Sequence, residues 1–240
     1  MKGFLLAAGN GTRLRPLTNS IPKCLVRIQG KPMLTWWLEW CSTYGIDDIL
    51  INIHAHAERV TEFLTAYDGP VKVTMTHETE LLGSAGTLLV NRSFVEGESE
   101  FAILYGDVIT NCRFDRMLEF HRRVGASVTV GTYHVANPTQ CGILTADDQN
   151  RIVEFEEKPA RPKSDTAFSG LLIAGPVLMQ AVPSQLPSDI GFDVLPSLIG
   201  KMYGFAIEDF VLDIGTLEKY EKAQQEWPGL TLKSAVKSPY

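Results

Sequence analysis

Apolar and polar positions follow two different periods in the first 110 residues. Short apolar, β-branched runs predict strands at residues 3–8, 48–53, 71–76 and 100–105. Between them, residues 33–44 and 58–67 repeat their apolar side chains at helical spacing, which predicts two helices that pack on a sheet. Strands that alternate with helices indicate βαβ units and therefore a mostly parallel sheet.

The second half of the chain has a different pattern, with more strands and fewer helices. Strand-like runs occur at residues 126–133, 142–145, 151–156 and 167–174. The hydrophilic stretch 157–166 predicts an exposed loop, and residues 216–226 predict a final amphipathic helix. We therefore expect an α/β fold with a mixed, mostly parallel central sheet in one domain, residues 1–226, followed by a C-terminal tail, residues 227–240.

Composition narrows the class of protein. The 240 residues carry a formal net charge of −6, which disfavours general binding to a nucleic-acid backbone. A mean hydropathy near zero argues against both disorder and membrane insertion. Neither a signal-peptide pattern nor a membrane-length apolar run is present, so we expect a cytoplasmic protein without a membrane partner. Its four cysteines are scattered without zinc-site spacing and are interpreted as reduced thiols.

A glycine-rich loop directly follows the first predicted strand, with the sequence Leu-Ala-Ala-Gly-Asn-Gly-Thr-Arg-Leu at residues 6–14. Its glycines permit positive φ and close approach of backbone N–H groups to a phosphate. The loop is not a P-loop, and Leu14 stands where a dinucleotide fingerprint has its third glycine. Alone, such a loop is equally consistent with a tight turn. Three cations close by, Arg13, Arg15 and Lys23, favour a polyphosphate ligand.

Asp107 follows the strand at residues 100–105, where open α/β sheets bind their ligands. A carboxylate at this position suits a metal ligand, although a simple turn residue fits the same pattern. His54 and His56 alternate at the end of another strand and form a second, weaker candidate for metal binding.

Residues 6–18, together with Pro-Lys-Cys-Leu at residues 22–25, closely resemble the signature of the sugar-1-phosphate nucleotidylyltransferases. The resemblance extends from Gly3 to about Gln225, with the motifs in the family's order. It implies a Rossmann-like, GT-A-like three-layer α/β/α fold. Because no hexapeptide repeat is present, we expect no C-terminal left-handed β-helix.

The resemblance also implies a nucleotide site. In the family, the glycine-rich backbone holds the triphosphate, the residue matching Arg13 acts on the departing phosphates, and the one matching Lys23 stabilises charge at the reacting phosphate. Residues 80–87 resemble the segment beside the base and ribose, where Gly83 leaves room for a planar base and Ser84 is placed to cap the next helix. Arg13, Lys23 and Asp107 are the predicted catalytic residues. The predicted nucleotide-binding residues are Leu6, Ala8, Gly9, Asn10, Gly11, Thr12, Arg13, Lys23, Glu78, Leu82, Gly83, Ser84 and Asp107.

Two further motifs imply a sugar-phosphate site and a metal site. Glu157 and Lys158 match the family's Glu-Lys-Pro, in which the glutamate meets sugar hydroxyls and the lysine meets the sugar phosphate. Asp213, in a segment that resembles the family's closing Asp-Ile-Gly-Thr, is predicted to bind Mg²⁺ together with Asp107. Phe168 departs from the pattern, because the family commonly has asparagine there, and this leaves the sugar open. The predicted sugar-phosphate-binding residues are Gly142, Glu157, Lys158, Ser169 and Gly170.

The implied reaction transfers a nucleoside monophosphate from a nucleoside triphosphate to a sugar 1-phosphate, giving a nucleotide sugar and pyrophosphate. Residues 81–87, residues 190–202 and the closing segment look most like those of guanylyltransferases that act on mannose or D-glycero-D-manno-heptose 1-phosphate. Alternatives are a uridylyl- or thymidylyltransferase, and a non-catalytic regulatory protein that binds nucleotide sugars. The expected partners are a nucleoside triphosphate and a sugar 1-phosphate, with no nucleic acid, and a homo-oligomer is left open.

Overall fold

A nine-stranded mixed sheet and two two-stranded ribbons organise residues 1–230, the part of the chain that the computed structural model describes. The strands are β1 Lys2–Leu6, β2 Arg27–Ile28, β3 Lys31–Pro32, β4 Asp48–Ile53, β5 Lys72–His77, β6 Phe101–Tyr105, β7 Val108–Thr110, β8 Val128–His134, β9 Gly142–Ala146, β10 Ile152–Glu157, β11 Thr166–Ala174, β12 Met202–Ala206 and β13 Val211–Asp213. The α-helices are α1 Met33–Tyr44, α2 Ala57–Thr65, α3 Ser84–Val90, α4 Phe114–Arg123, α5 Pro176–Ala181 and α6 Leu217–Glu226.

The first half of the chain builds the parallel part of the sheet, in the order β6-β1-β4-β5. Leu6 at the end of β1 is in register with Asn52 of β4 and with Tyr105 of β6. The carboxyl ends of these strands therefore lie at one edge of the sheet, which is the edge where α/β proteins place their ligands.

The second half adds strands in mixed directions. β11 runs antiparallel to β6, β8 and β9, β10 pairs antiparallel with β9, and β12 runs parallel to β8. The register of β11 shifts between Phe168 and Leu172, with Gly170 at a φ of +82° inside the bulge. This bulge lets one long strand pair with different neighbours at its two ends.

Helices cover both faces of the sheet, because successive side chains of a strand point to opposite sides. Leu5 lies in the hydrophobic cluster that holds Trp37 of α1 and Met117 of α4. Phe4 lies in the other cluster, with Leu88 of α3 and Leu178 of α5. The predicted three-layer α/β/α fold is thus confirmed. No left-handed β-helix occurs in residues 1–230, nor does any helix there have the length and apolar character needed to cross a membrane.

A small ribbon brings the C-terminal region to the glycine-rich loop. β13 pairs antiparallel with β7, so that Asp213 lies opposite Val108. A third cluster packs Ile109 and Ile214 of this ribbon region against Leu14 of the loop. Two segments about 200 residues apart in sequence are thereby held side by side at the ligand edge of the sheet.

Two details differ from the sequence-based expectation. The sequence of residues 24–28 predicts a further strand after Lys23, but a 3₁₀ turn at Lys23–Leu25 precedes the short β2. The turn lets Cys24 and Ile28 enter different hydrophobic clusters. Trp227, the first residue of the expected tail, is buried against Trp36 and Phe210, with ring centroids 5.6 and 5.5 Å away. Packed structure therefore continues past residue 226, while residues 231–240 lie outside the described part.

Candidate active site

A pocket of about 230 Å³ opens at the carboxyl ends of β1, β4 and β6. It combines backbone of the glycine-rich loop, a buried polar network and one ion pair. Eight of the predicted nucleotide-binding residues line it together with six others. The lining residues are Leu6, Ala7, Ala8, Gly9, Lys23, Cys24, Asn52, Glu78, Leu81, Gly83, Ser84, Tyr105, Gly106 and Asp107.

The shape of the glycine-rich loop depends on Gly11. This residue has a φ of +62°, and its carbonyl accepts a 2.7 Å hydrogen bond from Oγ1 of Thr18. A Cβ on Gly11 would lie 2.9 Å from Cγ2 of Thr18, so a side chain would push the loop away from its support. The predicted residues that do not line the pocket are Asn10, Gly11, Thr12, Arg13 and Leu82. Of these, Asn10, Thr12 and Arg13 are exposed to solvent.

Asn52, which the sequence-based reasoning missed, organises the floor of the pocket. Its Oδ1 accepts a 2.6 Å hydrogen bond from the Ala7 amide, and its Nδ2 donates to Oε1 of Glu78 at 2.8 Å. Thr87 donates to the same Glu78 oxygen at 2.5 Å, and the other Glu78 oxygen accepts from the Leu82 amide at 3.2 Å. A network satisfied in this way fixes the loop, the strand ends and α3 relative to each other. The available signal was a buried asparagine inside the apolar run of β4.

Gly83 and Ser84 have structural roles that differ from the expected ones. Gly83 has a φ of +77°, and a Cβ there would lie 2.1 Å from the Ser188 carbonyl oxygen. The glycine is therefore required by protein backbone, whatever ligand lies beside it. Ser84 does not cap α3, because Gly83 occupies the N-cap position. Instead, its hydroxyl donates to Oδ2 of Asp189 at 2.8 Å and accepts from the Ile190 amide at 2.7 Å.

Asp189 is a second residue that the sequence-based reasoning missed. Its other carboxylate oxygen accepts from the Gly191 amide at 2.8 Å and so caps the π-helical turn Ile190–Val194. The hydroxyl of Tyr105 lies 3.4 Å from Oγ of Ser84 and continues the chain of polar contacts. Ser84 and Asp189 therefore tie the lining of the pocket to the region around Glu157.

An ion pair between Lys23 and Asp107 stands at the pocket wall, with 2.7 Å between Nζ and Oδ2. The Lys23 side chain is only 11% exposed, whereas Asp107 is 39% exposed. Burial acts to raise the pKa of Asp107, but the Lys23 ammonium outweighs it, with help from Arg13, and the pKa is lowered. Asp107 is therefore a carboxylate at neutral pH, and Lys23 is oriented by it.

Asp213 lies next to Asp107 because of the β7–β13 ribbon. The Ile214 amide donates a 2.8 Å hydrogen bond to the Asp107 carbonyl, and Asp213 pairs with Lys219 at 2.7 Å. In the described part of the chain, no group of three or more His, Cys, Asp or Glu side chains is arranged to hold a metal ion. Two carboxylates are nevertheless the usual protein contribution to a Mg²⁺ site completed by phosphate oxygens and water. The residues present thus fit Mg²⁺ in the presence of a phosphate ligand.

Glu157 and Lys158 do not line the pocket, but a Cβ on Gly191 would meet the side chains of both Glu157 and Asp189. Glu157 pairs with Gly142 across β10 and β9, and its side chain is largely buried. Burial raises the pKa of the Glu157 carboxyl, Asp189 raises it further, and Lys158 opposes the shift. Lys158, at a φ of +49°, is more exposed and places Nζ 3.6 Å from Oε1 of Glu157 and 5.4 Å from the Phe192 ring centroid. The two residues therefore place a largely buried carboxylate beside an exposed ammonium group.

Phe168 stands where the family commonly has asparagine, and the structure shows what the segment 168–170 contacts instead. The ring of Phe168 packs edge-on against Tyr105 at 5.5 Å, so a hydrophobic contact occupies the expected place of the asparagine. Ser169 is buried, and its hydroxyl accepts from the Leu171 amide at 3.3 Å. Gly170 packs against Tyr105, where a Cβ would approach the Tyr105 Cβ to 2.9 Å. The side chain of Ser169 is thus withdrawn from the pocket, and we assign it no ligand contact.

The two histidines considered as metal ligands have other partners. Nδ1 of His54 lies 2.7 Å from the Glu78 carbonyl, and Nε2 of His56 lies 3.3 Å from the Thr18 carbonyl. Each ring therefore makes a hydrogen bond that holds a loop, and the alternative metal site is not supported within residues 1–230.

Replacing Gly83 with alanine is expected to destabilise the protein by more than the roughly 1–2 kcal/mol that positive φ alone costs. The added Cβ overlaps the Ser188 carbonyl, so the two segments must separate. Gly97→Ala is the matched control, because Gly97 has a φ of +82° and open space around its Cβ position. Urea unfolding of the two variants measures the difference. Equal losses of stability in both would contradict the packing role assigned to Gly83.

The fold and the pocket define a three-layer α/β protein whose ligand edge combines a glycine-rich loop with an ion pair and a second carboxylate. A model of the nucleotidyl transferase family matches residues 2–228, and the chain therefore belongs to that family. The resemblance seen in the sequence is thus confirmed.

Relatives and solved structures agree with this assignment. Mannose-1-phosphate guanyltransferase 2 of Candida glabrata is 33% identical over 222 residues, which are 90% of this chain. The chain spans only 61% of the length of that relative. A solved chain from Bacillus anthracis, described as a candidate glucose-1-phosphate thymidylyltransferase in complex with sucrose, superposes with a TM-score of 0.83 at 25% identity, over 93% of this chain and 94% of that one. HddC from Yersinia pseudotuberculosis gives 0.79 at 25% identity, over 94% and 99%.

Proposed function

We propose that the protein transfers GMP from GTP to mannose 1-phosphate, giving GDP-mannose and pyrophosphate. The observation that carries the reaction class is the Lys23–Asp107 ion pair in the wall of the pocket formed by the glycine-rich loop. The choice of GTP and mannose 1-phosphate is supported by the relatives named mannose-1-phosphate guanyltransferase, which share about a third of their aligned residues with this chain. Because the chain spans 61% of their length, their activity is carried over as a proposal.

In this proposal the nucleotide occupies the pocket. The backbone of residues 8–12 cradles the triphosphate, and Glu78, Leu82, Gly83 and Ser84 lie beside the base and ribose. The network of Asn52 keeps these parts in place before GTP arrives. A site that is already ordered loses less conformational entropy on binding than a flexible one.

The chemical step is an in-line displacement at the α-phosphorus of GTP. An oxygen of the sugar phosphate forms the new P–O bond, while the bond to pyrophosphate breaks. The nucleophile is already ionised at neutral pH, so no general base is required. Asp107 and Asp213 would hold Mg²⁺, which neutralises phosphate charge and orients the reacting oxygens when bound. Lys23 stabilises the charge that develops at the α-phosphate, and Arg13 binds the departing pyrophosphate.

The acceptor binds on the other side of the two aspartates. Glu157 accepts hydrogen bonds from sugar hydroxyls, the Gly142 backbone faces the sugar, and Lys158 binds the 1-phosphate. Phe168 offers no polar group at the expected asparagine position, so fewer sugar hydroxyls are held there.

Replacing Lys158 with alanine is expected to raise the KM for mannose 1-phosphate about tenfold and to change kcat less, because a ground-state contact to the phosphate is lost. Steady-state kinetics with each substrate varied in turn measures the split. Lys163→Ala is the matched control, since Lys163 lies in the same loop and pairs with the exposed Glu154. Loss of kcat with an unchanged KM would move Lys158 from acceptor binding to the chemical step.

Pyrophosphate release tests the function directly. Purified protein with Mg²⁺ is assayed with GTP, UTP, dTTP, CTP and ATP against mannose, heptose and glucose 1-phosphates. Release with GTP and mannose 1-phosphate supports the proposal, whereas release only with UTP or dTTP replaces it by one of the alternative transferases. If no pair reacts and GDP-mannose still raises the melting temperature, the regulatory function is favoured instead.

Three further expectations stay predictions. These are the cytoplasmic location, the absence of a nucleic-acid partner and the oligomeric state, for which the sequence leaves a homo-oligomer open. Size-exclusion chromatography with light scattering measures the last of them.

A further inference from the structure

Lys219 lies beside Asp213, one of the two aspartates that the proposed function assigns to Mg²⁺. None of the motifs that resemble the family includes this lysine. It lies in the first turn of α6, where its amide donates a 3.3 Å hydrogen bond to Oγ1 of the N-cap residue Thr216. Its Nζ lies 2.7 Å from Oδ2 of Asp213, and a third of its side chain is exposed. The helix start therefore holds the base of the side chain, while the ammonium group faces solvent and the site.

Two cations lie near Asp213. One is Arg13 of the glycine-rich loop: a Cβ on Gly215 would lie 3.1 Å from Nη2 of Arg13 and 2.9 Å from Oδ1 of Asp213. In the proposed function Arg13 binds the departing phosphates.

The other cation is Lys219, which pairs with Asp213 at 2.7 Å and also acts electrostatically on Cys141. Burial raises the pKa of the Cys141 thiol, and the Lys219 ammonium is the strongest influence that opposes this shift. The Cys141 carbonyl accepts a 2.9 Å hydrogen bond from the amide of Lys158, the residue assigned to the acceptor phosphate. The ion pair with Asp213 and the influence on Cys141 thus link Lys219 to the metal side and to the acceptor side of the proposed site.

We propose that Lys219 binds the 1-phosphate of the acceptor sugar and, in the free protein, neutralises Asp213. The inference rests on the proposed function. A divalent cation on Asp213 repels the neighbouring ammonium, while the incoming sugar phosphate attracts it. The flexible lysine stem permits this change of partner, and the ammonium keeps a donor for either anion. Before the acceptor binds, Lys219 and the metal ion therefore compete for one carboxylate.

Two variants of Lys219 test this exchange. Lys219→Met is expected to raise the KM for mannose 1-phosphate at least tenfold while the KM for GTP stays within twofold, and Lys219→Arg is expected to recover most of the loss. Lys222→Met is the control, because Lys222 lies on the same helix, is exposed and pairs with Glu226 at 3.7 Å. An unchanged KM for mannose 1-phosphate in Lys219→Met, or an equal rise in the control, overturns the proposal.

A binding experiment separates this inference from the proposed reaction. Mn²⁺ is titrated into the free protein by calorimetry, without nucleotide or acceptor. Lys219→Met is expected to bind Mn²⁺ several-fold more tightly than the wild type, because the competing ammonium is gone. Equal affinities overturn the role of Lys219 even in an active enzyme. A wild type that reacts with no substrate pair overturns the proposed function instead, and the Mn²⁺ titration still decides whether Lys219 competes for Asp213.

Discussion

Replacing Lys23 with alanine is expected to lower kcat about 10²- to 10³-fold, the usual effect of removing one preorganised group that stabilises developing charge. The Lys23 side chain is nearly buried, and Asp107 holds its ammonium at 2.7 Å. Such a group needs little reorganisation as charge builds at the α-phosphate. Because its contribution is greatest in the transition state, the KM for GTP should change much less than kcat. Single-turnover measurement of pyrophosphate release isolates the chemical step.

Lys72→Ala is the control for this variant. Lys72 also pairs with an aspartate, Asp48, at 2.8 Å, but it begins β5 at the opposite edge of the sheet and its side chain is 73% exposed. Its replacement should leave kcat unchanged. Melting temperatures of both variants show whether Lys23→Ala is folded, since Asp107 loses its nearest cation. A large rise in the KM for GTP with kcat near the wild-type value would assign Lys23 to ground-state binding.

The local sequence was sufficient to predict the site residues that lie close together in the chain or directly follow a recognisable strand. The glycine-rich loop and Lys23 lie close together in the chain, and Asp107 directly follows a strand that is easy to recognise. The parallel strands are equally local, because each apolar run and each helix is recognised by its own period. These features were predicted from their immediate neighbours, and the structure brings Lys23 and Asp107 into direct contact.

Residues whose importance comes from tertiary contacts were missed. Asn52 is a single polar residue in an apolar strand, and only the fold places it between Ala7 and Glu78. Asp189 bonds to Ser84, which is 105 positions away in the chain. A structural requirement for Gly83 was also missed, since the backbone that excludes a side chain there belongs to Ser188. Sequence spacing carries no information about partners so distant, and for this reason the polar network that supports the pocket was not predicted.

The ribbon of β7 and β13 brings together the two aspartates that the proposed function assigns to one metal ion. Asp107 directly precedes β7 and Asp213 ends β13, and a 2.8 Å hydrogen bond from the Ile214 amide to the Asp107 carbonyl joins the two segments. Each carboxylate faces a lysine, so the free protein balances both charges without a metal ion. Bound phosphates would supply the additional negative charge that favours Mg²⁺. Metal binding and nucleotide binding should therefore depend on one another.

Replacing Asp213 with asparagine is expected to lower turnover at least 10³-fold at a Mg²⁺ concentration that saturates the wild type. Asparagine keeps the size of the side chain but loses the charge that holds a divalent cation, so the required Mg²⁺ concentration should rise steeply. Asp107→Asn should behave in the same way, because the proposed function assigns one ion to the two carboxylates. Pyrophosphate release measured over a range of Mg²⁺ concentrations gives both the maximal rate and the half-saturating concentration.

Asp165→Asn is the matched control for the loss of a carboxylate. Asp165 is exposed and pairs with His134 at 3.0 Å, away from the pocket, so its replacement should leave the Mg²⁺ dependence unchanged. The decisive comparison is between Asp107→Asn and Asp213→Asn. If Asp213→Asn kept the wild-type Mg²⁺ dependence while Asp107→Asn lost activity, the metal ion would depend on Asp107 and the substrate phosphates alone. Asp213 would then serve to orient Lys219, and the pairing of the two aspartates would be structural.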